Sequence, residues 1–241
     1  MNKKLKLALW DIGCVFWVAT IGSLLHFAFE LSEYWTPMAL VAAVNESAWE
    51  HTKMYFWPGL VWAVVQYTYT RDVANNYWFG KALALIATPT LIMITYFAYM
   101  KWSFAVGIKP SLPLMLGIMV FGIAAGQFIS WFVLTRKPIR IETGGMTTAR
   151  WSAVTYTVLI AAFSTFTFMP PKNFVFENFA CYTYTGEYGI LDDYEPYRIF
   201  AKVDKDGNLQ EGMGVNYCAN NPFEKSSGGL ASAAVSPNGQ S

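Results

Sequence analysis

Five apolar stretches, each close to the length that crosses a hydrocarbon core, decide most of what this chain can fold into. They run over about 7–29, 52–70, 82–100, 112–134 and 151–169, and a bilayer-spanning helix needs roughly 20 such residues. In lipid every backbone N–H and C=O must be paired within the protein, which leaves only helices and closed barrels. These runs are too long and too continuously apolar for the alternating strands of a barrel. The sequence therefore predicts an all-α membrane protein, a five-helix transmembrane bundle over residues 1–170. Charge segregation supports this reading: only 14% of residues are charged, against roughly 25% in soluble domains, and nine of the sixteen acids fall in 171–241. Residues 171–225 then form a small extracytoplasmic region, and the Ser/Gly/Ala-rich 226–241 a flexible tail.

Basic residues set the expected orientation. Lys3, Lys4 and Lys6 precede the first run, which is longer than a cleaved signal core and reads as a retained anchor. With the N-terminus in the cytoplasm, that side holds Lys3, Lys4, Lys6, Arg71, Lys81, Arg136, Lys137, Arg140 and Arg150. The other side holds Lys53, Lys101, Lys109 and Lys172 before the tail begins. This bias predicts a multi-pass cell-membrane protein with its C-terminus outside.

Several local features refine the picture. Trp35-Thr36-Pro37 starts a short helix between the first two runs, at the outer interface. Trp10, Trp35, Trp49, Trp78, Trp102 and Trp151 fall at segment ends, as an interfacial aromatic belt requires. Pro58 and Pro89 lie inside the second and third runs and are expected to kink or unwind them. Gly122 and Gly126 form a small-xxx-small pattern that favours close packing within the bundle, with dimerisation as the lesser alternative. Gln127 beside them can bond to a neighbouring helix. Cys14 reads as a small packing residue, whereas Cys181 and Cys218 are a candidate disulfide in the exported region. Segments 198–203 and 209–215 flank Asp206-Gly207 and read as a β-hairpin. The calcium-loop likeness of Asp204, Asp206 and Asn208 fails, because Leu209 and Val215 stand where that loop needs Gly and Glu.

The chain has only two histidines, and both fall at the outer boundary with several carboxylates. His26 and Glu30, four residues apart, share a helix face at the end of the first run. Asn45, Glu46, Glu50 and His51 lie in Val44-Asn45-Glu46-Ser47-Ala48-Trp49-Glu50-His51, at the start of the second. One account is purely local: Ser47 and Glu50 make a capping box, and both glutamates favour the positive end of the helix dipole. The other is a site: if the two helices are neighbours, His26, Glu30, Glu50 and His51 are candidate ligands for a divalent metal such as zinc. Glu50 and His51 are adjacent, about 100° apart around a helix, which argues against both binding one ion. No HExxH, G-x-S-x-G or phosphate-binding glycine loop is present. Dispersed basic residues speak against nucleic acid. With Asp11, Gln66 and Gln127 as the strongly polar groups inside the runs, a charge-coupled transporter is disfavoured.

Taken together, His26-Phe27-Ala28-Phe29-Glu30, the block from Val44 to Lys53 with Phe56 and Pro58, Phe166–Pro171 and Gly186-Glu187-Tyr188-Gly189 resemble an uncharacterised family. Its members are small multi-spanning membrane proteins of bacteria and archaea, known as a domain of unknown function. The likeness covers about 7–190; Ala43 stands where the family pattern has a proline, and the extension after Ile190 goes beyond it. The resemblance implies a helical membrane protein with its distinctive residues on one side, and with Phe166–Pro171 and Gly186–Gly189 walling the cluster. It brings no activity. The leading functional expectation is a non-catalytic envelope protein that contacts the lipid bilayer and assembles with other membrane subunits. The alternative is a metal-dependent membrane enzyme, hydrolase-like, with its site at the outer leaflet.

Overall fold

In the computed structural model the described residues are 2–33, 35–108, 110–143, 146–171, 173–176, 202–203 and 209–210. The side chains of Glu30 and Phe104 lie outside that set. Five helices form, as expected: α1 (Lys3–Leu31), α2 (Ala48–Thr70), α3 (Tyr77–Ala105), α4 (Leu112–Leu134) and α5 (Thr148–Thr165). A 3-10 turn, Thr36–Leu40, lies between α1 and α2 with Pro37 in its first turn, where the missing N–H costs nothing. Its Ala39 and the nearby Ala42 pack on Phe29 at the end of α1.

Three of the helices are long and apolar enough to cross a membrane: Lys3–Phe29, Tyr77–Ser103 and Leu112–Leu134. The α2 sequence carries Glu50, His51, Lys53 and Gln66, and the 18-residue α5 carries four threonines and two serines. Both fall short of that measure by composition. Many apolar side chains on the three long helices point outward, among them Phe16, Leu24, Ile94 and Phe128, all at least half exposed. In water such a surface is costly; in hydrocarbon it costs nothing. The fold is a helical membrane protein, and its exposed apolar faces define a bilayer environment.

Glycines set the helix spacing. The most extensive helix–helix contact joins α3 and α4. There Gly122 lies against Ile92 and Gly126 against Thr88, so closely that a Cβ at either would collide. The small-xxx-small pattern thus packs within the chain. On the other side, a Cβ on Gly22 of α1 would sit 2.6 Å from the Met54 carbonyl oxygen of α2. That carbonyl is the one Pro58, having no N–H, leaves without its helical partner. The expected unwinding does not occur, since α2 and α3 run continuously through Pro58 and Pro89. Instead, the bare backbone of α1 closes over the gap, and Trp17 Nε1 donates to the Pro58 carbonyl at 3.0 Å.

The expected hairpin contributes two described segments, Lys202–Val203 and Leu209–Gln210, which pair antiparallel. A ladder of two residues a side does not establish a folded unit. Cys181, Cys218, Gly186–Gly189 and the tail lie outside the described residues.

Candidate metal centre

The VNESAWEH stretch divides into two sites, because consecutive residues at the start of a helix face different neighbours. Ser47 is the N-cap of α2, and its Oγ accepts from the Glu50 N–H at 3.2 Å. Only half of the expected capping box forms. The Ser47 N–H donates to Asn45 Oδ1 at 2.9 Å, and Glu50 reaches further back, accepting from the Val44 N–H at 3.1 Å.

Glu50 turns inward. Its Oε2 lies 2.6 Å from Lys53 Nζ, with both side chains almost fully buried. Lys53 also donates to the Ala39 carbonyl and to Thr167 Oγ1, each at 2.8 Å. Thr167 in turn donates to Glu50 Oε1 at 2.9 Å. All three ammonium protons have acceptors and both carboxylate oxygens have donors, which is the condition for keeping a charge pair out of water. This knot joins the 3-10 turn, α2 and the chain just after α5. Beside it Trp49 stacks on Phe163 and Phe176, with ring centroids 4.6 and 4.9 Å apart, and donates its backbone N–H to the Val175 carbonyl. Trp49, expected at the lipid interface, is partly buried and packs on these rings. The described part of 166–176 therefore walls the Glu50 knot.

His51 turns the other way. Its Nδ1 lies 2.8 Å from the Ser47 carbonyl oxygen, and a carbonyl only accepts, so Nδ1 carries the proton. Its Nε2 faces Glu46 Oε2 at 3.3 Å. Glu46 Oε1 faces His26 Nε2 at 3.7 Å, and the two imidazole rings lie 5.2 Å apart, tilted at 40°. One ligand atom from each of His26, Glu46 and His51 falls within 4.8 Å of the others. The three side chains are about a quarter to a third exposed. Burial pushes the Glu46 carboxyl upward, but hydrogen bonding to His51 and the nearby imidazoles outweigh it and hold it below the usual range. Burial likewise favours neutral His51, but its bond to Glu46 prevails and raises it above an ordinary histidine.

Thus Glu46 meets both histidines, while Glu50, one of the candidate ligands from sequence, is fully engaged with Lys53. Asn45 caps the loop. Glu30 shares the His26 helix, and its side chain lies outside the described residues. Below the cluster opens a cavity of about 410 Å³ between α1, α2, α3 and α4. It is lined by His26, Glu46 and His51, and its other walls are mainly apolar, with Met54, Met93, Met115 and Met119 beside Tyr55 and Tyr96.

A third polar cluster lies toward the other end of the bundle. Lys81 Nζ donates to Asp11 Oδ1 at 2.5 Å and to Gln127 Oε1 at 3.2 Å, and Gln66 Nε2 donates to Asp11 Oδ1 at 3.1 Å. Lys81, counted above among the basic loop residues, is buried inside the bundle. Lys53 is its counterpart at the far end. The sequence carries one hint of each: Lys53 follows Glu50 by three residues, and Asp11 inside an apolar run needs a cation. Thr167 offers none.

These features define a class: a helical membrane protein whose bundle carries a half-open histidine–carboxylate cluster at the head of an apolar cavity. Within that class, the chain belongs to the family described as a family of unknown function (DUF6512), which matches residues 1–190. No curated protein and no solved structure matches the chain.

Proposed function

We propose that this protein is a metal-dependent membrane enzyme of the hydrolase type, with one divalent ion such as zinc held by His26, Glu46 and His51. The observation that carries the reading is the orientation of His51. Its Nδ1–H is tied to the Ser47 carbonyl, which turns Nε2 toward Glu46 and His26, where an ion would take the place of the Nε2 proton. Metal-ligating histidines are commonly fixed this way, by a hydrogen bond from the other ring nitrogen. Two imidazoles and one carboxylate make a neutral-plus-anion donor set suited to zinc, and three protein ligands leave a position open. An ion there would polarise a carbonyl and acidify a water. In the hydrolysis, the acyl carbon exchanges its bond to the leaving heteroatom for one to the water oxygen, and a water proton ends on the leaving group. The protein's part is to hold the ligands, keep Glu46 ionised and offer an apolar wall.

The topology belongs to the same proposal. All five helices cross the membrane, with the N-terminus in the cytoplasm and the cluster at the outer leaflet. Without the two buried lysines, Lys81 and Lys53, the basic residues still favour the cytoplasmic side, eight to three. The region after 170 is then exported, and its hairpin and the Cys181–Cys218 pair are the tests of that placement. The assembling, non-catalytic subunit is the weaker reading, because a surface used only for docking needs no convergent ligand set.

Elemental analysis of protein purified in mild detergent without chelator tests the centre. About one divalent ion per chain, lost in His26→Ala, Glu46→Gln and His51→Ala with the elution profile unchanged, is the expected result. Metal-free protein that also takes up no added zinc, manganese or iron overturns the proposal.

A further inference from the structure

The metal reading leaves open what enters the cavity, and the cavity's surroundings narrow the answer. It is framed by α1, α3 and α4, the three helices long and apolar enough to span a membrane, and it starts at the first residues of α2 and α4 and runs inward along them. On α4 its lining runs from Leu112 to Met119, and on α2 from Ala48 to Tyr55. Seven residues at 1.5 Å rise make it about 10 Å deep along the bundle. Its volume falls within the range of about 300–1,000 Å³ that holds small-molecule ligands.

Two further observations describe the occupant. His26, Glu46 and His51 bring the ionisable groups of the lining together, and the rest is mainly aliphatic, thioether or aromatic, with hydroxyl-bearing Ser23, Thr52, Tyr55 and Tyr96 among it. Such a site fits a molecule with one strongly polar group on a mainly apolar body. Met54, Met93, Met115 and Met119 supply soft, rotatable surface that adapts to a flexible chain. The entrance is apolar as well. Phe27, Leu112 and Leu116 line the cavity and are also 55%, 63% and 48% exposed. A rim of that kind on the spanning helices α1 and α4 faces hydrocarbon, so a lipid chain passes it without leaving an apolar medium. A water-soluble polar substrate would find no partner there.

We infer that the cavity is an acyl-chain site, and that the substrate is a membrane lipid bearing an ester or amide carbonyl. It enters sideways between α1 and α4, with the chain against the methionines and the carbonyl beside His26, Glu46 and His51. This inference rests on the metal reading for its carbonyl chemistry and on the cavity alone for its chain. The two parts fail separately.

The test uses the full chain in nanodiscs of phosphatidylethanolamine and phosphatidylglycerol that carry a trace of a fatty-acyl ester with a photoreactive group near the chain end. After irradiation, label is expected on peptides containing Met93, Met115 or Met119. Met115→Trp, which fills the cavity from α4, is expected to cut that labelling about tenfold and to leave bound metal unchanged. His51→Ala is expected to lose metal and to keep the labelling within about twofold, since the chain site is apolar. Label confined to outward-facing residues such as Phe128, with none in the cavity, overturns the chain site even where metal is present. Equal labelling in Met115→Trp marks probe binding at experimental concentration only and overturns it too. Cavity labelling by protein that takes up no metal upholds the chain site and overturns the metal reading. With both in place, release of the free fatty acid from the ester, abolished in His51→Ala, is the expected chemical readout. Intact ester after prolonged incubation with metal-loaded protein overturns the substrate assignment.

Discussion

Glu46 and Glu50 stand four residues apart at one helix start, yet they sit in opposite chemical situations. Glu50 is buried and saturated: Lys53, Thr167 and the Val44 N–H take both of its oxygens. Glu46 is a third exposed and faces two imidazoles at 3.3 and 3.7 Å, above an open cavity. The first arrangement has no room for another partner and holds three segments together. The second has donor atoms converging on one point with space beside it. A charge cluster is structural when every lone pair and proton is used; it becomes a candidate site when a position is left over.

That contrast predicts a hierarchy of effects. Lys53→Met leaves the Glu50 carboxylate buried and unpaired, and is expected to cost about 3–5 kcal/mol, read as a large fall in thermal unfolding temperature in detergent. Adding Glu50→Gln to it is expected to recover part of the loss. A Lys53→Met protein as stable as the parent would mean that the knot is not the structural half of the pair. Next comes the metal itself. Chelation is expected to destabilise the parent by about 2.7 kcal/mol when the ion had been at a hundredfold its dissociation constant, with no effect on His51→Ala. If chelator shifts both alike, the ion sits elsewhere.

Gly22→Ala places a methyl against the Met54 carbonyl, and separating α1 from α2 is expected to cost about 1–3 kcal/mol. It should also weaken metal binding, because His26 is on α1 and His51 on α2. Ser47→Ala removes the cap of α2 at a cost of about 1 kcal/mol, with Lys53 and Glu50 still paired.

The smallest effect is in pH dependence, and it sharpens the comparison most. Without metal, His51 is raised and Glu46 lowered by their mutual contact. The stabilisation from His51 is complete below its unfolded value, about 6.5, and fades as pH rises through its raised folded value. That from Glu46 is present above the ordinary carboxylate range and is lost as pH falls through its lowered value. Chelated protein should therefore lose a little stability on going from mildly acidic to alkaline pH. Metal reverses the slope, because an ion competes with the proton on His51 and binds more tightly as pH rises. Thermal unfolding across that range, with and without zinc, reads the reversal directly; parallel curves would count against binding at this cluster.

Much of this was legible in the residues. The five helices follow from run length, and α4 matches its apolar run to the residue. The divergence of Glu50 and His51 follows from the angle between neighbours on a helix. Other features were hidden for stated reasons. Lys53 and Lys81 read as surface charges, because a lysine's local sequence does not say whether a carboxylate waits inside. Pro58 reads as a place where α2 unwinds, because nothing local shows that Gly22 will cover the freed carbonyl. The stacking of Trp49 was hidden because Phe163 and Phe176 come from more than a hundred residues away in the chain.

The sequence by itself determined that this is a helical membrane protein, since backbone groups in lipid allow apolar runs of this length little else. It also placed both histidines and the NESAWEH block at one boundary of the apolar runs. Only the tertiary structure decided which carboxylate serves which purpose. That choice depends on what packs against each face of α2: Thr167 and Ala39 close around Glu50, while α1 brings His26 to Glu46 and leaves the cavity open beneath them.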